Sequence, residues 1–268
     1  MARRPLIVTA PDGAALAAVA HPADGATGVL IIPGAPQTRL GAHRGFVQLA
    51  DTLAKAGHPV LRLDRRGLGD SDGQDPGFAA IGPDIAAAQL ALRHAFPAVR
   101  RVIGVGLCDG ATALALAPGG LEALVLLNPW LADGARMGDL PPAAALRARY
   151  RDRLLSPRHW LRLLRGEVRL AALGRGLGRA AQGDPVSRTE AALARSLAAF
   201  PGSVLVVLGG ADATAQAFAA RWQGEAFAPA RRSGRVSVAT IPGATHTFAR
   251  PDHAADLARR VVEFAGRC

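Results

Sequence analysis

Half of the 268 residues are hydrophobic and only 4% are aromatic, so the core must be built from Ala, Leu and Val; this is ample for a globular fold and excludes a disordered or fibrous chain. The formal charge is +11, carried by arginine apart from Lys55, and no nucleic-acid recognition motif accompanies it. Two cysteines, Cys108 and Cys268, exclude a disulfide framework.

The first stretches read as strands at Leu6 to Thr9 and Leu16 to Ala20, followed by Val29 to Ile32, Val60 to Leu63, Val102 to Gly106 and Ala123 to Leu127. Helices are expected between them at about Arg44 to Ala56, Pro83 to Ala95 and Ala111 to Ala117. Short apolar strands alternating with helices predict an α/β fold with a mostly parallel sheet covered on both faces.

From 131 to 200 the rhythm breaks, with no convincing strand and with Arg and Leu at helical spacing. We read this as a helical cap inserted after strand 6, with the core formed by 1–130 and 201–268. Ser156-Pro157 supplies a helix start within it. Between Leu131 and Ser196 stand thirteen Arg against six Asp and Glu, +7 of the total charge. A basic cap suits an anionic substrate or an anionic membrane surface, and a solvated helix face is an equal reading. Strands resume at Val204 to Leu208 and Val236 to Ile241, with helices at Ala213 to Arg221 and Ala254 to Ala265, giving eight strands.

No apolar run is long enough for a signal peptide or a membrane span, and a free thiol needs a reducing compartment, so a cytoplasmic location is expected. No His/Cys cluster has metal-ligand spacing, and no cofactor is expected. Asp64 to Ser71, rich in Gly, matches neither a dinucleotide nor a Walker loop and reads as a structural turn.

The chemistry centres on Gly106-Leu107-Cys108-Asp109-Gly110, directly behind an apolar strand. Small residues flanking the central one permit a sharp strand-to-helix turn that exposes a nucleophile, here Cys108 in place of the commoner serine. An inert buried Cys is the competing reading. What favours the nucleophile is the order that follows: Asp212 after the seventh strand and His246 after the eighth, both at carboxyl ends that face one crevice. His246 would take the thiol proton and Asp212 would orient the imidazole, although a turn Asp capping the next helix fits Asp212 too. Asp133, beyond the sixth strand, is the second candidate for the acid. By position, backbone N–H groups of Asp109 and Ala35 would form the oxyanion hole, with Gly34 behind Ala35 because Pro36 has no N–H. Gly34, His43, Arg44 and Trp130 are candidate substrate contacts.

Together these residues resemble the α/β-hydrolase superfamily along nearly the whole chain. More narrowly, Gly41-Ala42-His43-Arg44-Gly45-Phe46, Val60 to Ser71, the Cys108 elbow, Leu127-Asn128-Pro129-Trp130 and Ser156-Pro157-Arg158-His159-Trp160 resemble the exosortase A system-associated hydrolases of the first type, found with bacterial exopolysaccharide and PEP-CTERM sorting genes. The superfamily resemblance implies a Cys108, Asp212, His246 triad, similar to thiol-based dienelactone hydrolases. It implies an acyl hydrolase or acyltransferase acting on a small-molecule ester or thioester through a covalent acyl-enzyme. The alternative is a non-catalytic homologue that binds an anionic or acyl ligand. Nothing in the residues fixes the oligomeric state.

Overall fold

The computed structural model describes residues 2–133 and 185–268. Within them, strands β1 (Arg4–Thr9), β2 (Ala15–His21), β3 (Thr27–Ile32), β4 (Val60–Leu63), β5 (Arg101–Leu107), β6 (Ala123–Leu127), β7 (Ser203–Gly209) and β8 (Val236–Ile241) form one sheet in the order β1-β2-β4-β3-β5-β6-β7-β8. β2 runs antiparallel to β1 and β4, and the pairs from β4 through β8 are parallel. This is the α/β-hydrolase fold expected from the sequence.

The central strands are apolar on both sides because helices cover both faces. In β6, Leu124 and Leu126 join the cluster on one face while Ala123, Val125 and Leu127 join that on the other. The first face carries α2 (Gly82–Ala95), α3 (Asp109–Leu116), α4 (Arg188–Ala199), α5 (Ala213–Trp222) and the short α6 (Ala228–Arg232). The second carries α1 (Gly45–Lys55) and α7 (Pro251–Arg267), the latter burying Leu257, Val261 and Phe264 at helical spacing.

Most of the segment 131–200, including the Ser156-Pro157 helix start, lies outside the described residues. Its last part is helix α4, which inserts Leu193 and Leu197 into the first cluster. Ser187 caps this helix by accepting from the Glu190 N–H at 2.9 Å. The carboxylate of Asp133 adds acceptors for the N–H groups of Thr189 (2.8 Å) and Arg188 (3.1 Å), and the Ser187 hydroxyl donates to the Leu131 carbonyl. Helix α6 went unread in the sequence because it is five residues long and lacks an apolar stripe.

Register fixes the site. Leu107 pairs with Leu127, Leu127 with Val207, and Gly209 with Ile241, so the residues after β5, β6, β7 and β8 emerge along one edge. Strand order reverses direction between β3 and β5, which leaves a crevice at their carboxyl ends.

Candidate active site

Cys108 stands in that crevice at the start of α3 with φ 57° and ψ −123°, a conformation that costs a non-glycine residue on the order of 1–3 kcal/mol. Glycines make the turn feasible. A Cβ on Gly106 would lie 2.7 Å from the Ala111 Cα, and one on Gly110 would lie 2.5 Å from the Pro33 carbonyl oxygen. The thiol is free and half-buried, and the Cys108 N–H donates to the Leu127 carbonyl at 2.9 Å. Helix α3 begins at Asp109 rather than at Ala111, so Cys108 itself is the residue preceding the first helical turn.

Asp212 and His246 meet beside it. The His246 Nδ1 lies 3.0 Å from the Asp212 Oδ2, and that same oxygen accepts from the Ala215 N–H at 3.0 Å. Capping α5 and holding the imidazole are thus one arrangement, in which the helix start fixes the carboxylate that fixes the ring. Burial opposes a charge on His246, but hydrogen bonds to Asp212 and Cys108, with the charge on each, outweigh it and push the imidazole up to about 10. Asp133, the second candidate acid, instead spends its carboxylate on the start of α4.

The loop after β3 holds a feature the sequence did not suggest. The Ala35 N–H donates to the Asp109 Oδ1 at 2.9 Å, so the side chain of one proposed donor residue occupies the backbone donor of the other. Asp109 is buried, and its second oxygen accepts from the Arg65 Nη1 at 2.7 Å; Arg65, 1% exposed, also reaches Asp75 at 3.0 Å. Gly34 lets the loop come this close, because a Cβ there would lie 2.7 Å from the Leu107 carbonyl oxygen and 3.0 Å from the Cys108 Cβ.

The Gly-rich stretch after β4 is held by Asp64, which has no exposed surface and accepts from the N–H groups of Arg39 (2.5 Å) and Asp70 (3.0 Å) and from the Arg39 guanidinium. Gly69, with φ +57°, passes so close that a Cβ would collide with this carboxylate. It is a turn that fastens the loop following β3, the loop that carries Ala35.

The other candidate contacts are placed differently. His43 and Arg44 are exposed at the entrance to α1, both with positive φ, at 53° and 59°. Trp130 is half-buried, and its backbone packs on α3, with its N–H on the Thr112 hydroxyl (2.9 Å) and its carbonyl accepting from the same hydroxyl at 2.7 Å. Among the described residues no group of three or more His, Cys, Asp or Glu could hold a metal ion.

Sequence reasoning missed Asn128. Fully buried and with φ 45°, it donates through Nδ2 to the His246 carbonyl (2.9 Å) and accepts at Oδ1 from the Gly209 N–H (2.8 Å). A lone amide ending the run Ala123 to Leu127 was the available signal, since a polar side chain at the end of a buried strand must find partners. Arg65 was equally unmarked, being one of two adjacent arginines in a turn.

A strained strand-to-helix turn at Cys108, between the loop after β3 and a histidine-acid pair at strand ends, is the arrangement of one class of protein, and residues 29–260 match the Alpha/beta hydrolase family, to which the chain belongs. Among solved structures it is similar to a Pyrococcus furiosus esterase (15% identity, covering 99% of this chain and 92% of that one, TM-score 0.67). It is also similar to Est1E from Butyrivibrio proteoclasticus with ferulic acid bound (18%, 97% of each chain, 0.60) and to a thioesterase domain from the curacin biosynthetic pathway (15%, 98% and 100%, 0.56). At these identities the likeness is one of fold. No curated protein matches the sequence.

Proposed function

We propose that this α/β-hydrolase is an acyl hydrolase or acyltransferase whose nucleophile is Cys108, with His246 as acid-base and Asp212 as its orienting partner. The supporting observation is the chain of contacts in which Asp212 Oδ2 holds His246 Nδ1 at 3.0 Å and both Asp212 and Cys108 raise the imidazole to about 10. Esterase and thioesterase folds among the similar structures support the reaction class.

In this reading the Cys108 thiolate forms a C–S bond to the substrate carbonyl while the carbonyl π-electrons move to oxygen, where the Asp109 N–H stabilises them. Collapse breaks the bond to the leaving alcohol or thiol, which takes a proton from the His246 imidazolium. Water or another hydroxyl then gives a proton to His246, attacks the thioester and releases Cys108 as thiolate. Transfer to a saccharide hydroxyl draws support from the resemblance to exosortase-associated hydrolases. The Arg-rich part of the segment before α4 is proposed to cover the site.

A second reading, a non-catalytic homologue that binds an acyl ligand, draws on the engagement of the Ala35 N–H by Asp109. Intact-protein mass spectrometry after brief exposure to activated acyl esters and thioesters separates the two. A wild-type adduct absent from Cys108→Ala supports catalysis. Absence of an adduct on folded wild type, with Cys108 also resisting alkylation at neutral pH, supports the binding protein.

A further inference from the structure

Beside the reaction centre lies a cavity of about 430 Å³ between α1 and α7, within the range of roughly 300–1,000 Å³ typical of small-molecule sites. Its walls include Leu107, which precedes Cys108, Thr247, which follows His246, and Gln37, two residues beyond Ala35. The cavity is thus walled by chain neighbours of Cys108, His246 and the Ala35 loop. Buried Phe46, Leu49, Leu127 and Phe248 line it. Among the described lining residues none is Asp, Glu, Lys or Arg and His43 is the one ionisable side chain, although the chain carries +11 and α7 holds Arg259, Arg260 and Arg267, with Arg250 just before it.

From this we infer that the cavity takes an uncharged, apolar arm of the substrate, a deepening that rests on the proposed acyl chemistry. A charged arm placed there would lose hydration and meet no Asp, Glu, Lys or Arg, with His43 the one ionisable neighbour, whereas an alkyl or aryl arm gains burial against Phe46, Leu49 and Phe248. Ala254 and Ala258 are small residues of α7 that line the cavity one helical turn apart, so a larger side chain at either would narrow it.

The test compares wild type with Ala258→Leu and Ala254→Leu, each checked for thermal unfolding, on octyl acetate, methyl octanoate and methyl acetate. At least one variant is expected to lower kcat/KM for one eight-carbon ester relative to methyl acetate by about tenfold or more. Loss confined to octyl acetate assigns the leaving-group arm, and loss confined to methyl octanoate the acyl arm. Binding of octan-1-ol, followed by protein NMR beside octanoate and octylammonium, reads the cavity without catalysis. Octanol should bind best and weaken about tenfold in the same variant. If octanol binds this way while no ester is turned over, the cavity assignment stands and the proposed function falls. Unchanged ester ratios and unchanged octanol binding in both folded variants, or equal binding of the charged amphiphiles, overturn the inference while leaving Cys108 acylation intact.

Discussion

The amide of Asn128 joins two strand ends to the loop of His246: Nδ2 donates to the His246 carbonyl at 2.9 Å and Oδ1 accepts from the Gly209 N–H at 2.8 Å. Gly209 lies three residues before Asp212, so one buried side chain spaces the histidine from its carboxylate partner. Asn128→Ala would leave a buried N–H without an acceptor, a loss of about 1–3 kcal/mol. Denaturant unfolding should report that loss, and kcat should fall more than KM rises because the ring is displaced while the cavity is not. Asn128→Asp, which keeps the acceptor for Gly209, should recover stability only in part. Equal kcat in wild type and Asn128→Ala would remove the positioning role.

His246 makes a signed prediction about pH. Its folded value of about 10 lies above the ordinary histidine value of about 6.5, so its contribution to stability is fully present below the latter and is lost as pH rises through the former. Following the His246 ring by NMR, Asp212→Asn and Cys108→Ala should each move the titration acidward, because each removes a raising contact. If the imidazolium is the acid in acylation, the alkaline limb of kcat/KM should shift with it in Asp212→Asn.

The Arg65–Asp109 pair is buried on both sides, with side chains 1% and 5% exposed. Asp109→Leu should be destabilising by about 3–5 kcal/mol, since it strands a buried guanidinium beside Asp75 alone. The double variant Arg65→Met with Asp109→Leu should be less destabilised than the sum of the two single changes, measured as a double-mutant cycle in urea. Additive losses would mean the pair is not coupled.

Glycine substitutions separate crowding from flexibility. Gly110→Ala places a Cβ 2.5 Å from the Pro33 carbonyl oxygen and should lower stability and displace the loop that carries Ala35. Gly266→Ala, in open space near the end of α7, should stabilise by about 0.5–1 kcal/mol. Thermal melts with opposite shifts are the expected result.

The strands were legible because each is a short apolar run closed by turn residues; β4, β6 and β8 have the expected ends, and the others extend by a residue or two at one or both ends, where only pairing in the sheet decides. The meeting of Cys108, Asp212 and His246 was legible because strand-end positions converge whatever the loops do. What stayed hidden was the second layer: Asn128, Arg65 and the Ala35 N–H find their partners across 118, 44 and 74 residues of chain respectively, and no local pattern encodes such pairings.

The link from Asp133 to Arg188 and Thr189, with Ser187 on Leu131, closes the core like a clasp at the point where the chain departs and re-joins. Length and composition between those two points are therefore decoupled from the folding of the sheet, since a longer excursion adds only about 0.6 kcal/mol of closure entropy per doubling. Such a clasp lets selection rewrite the sequence between its two ends while the strand ends beside it stay in register.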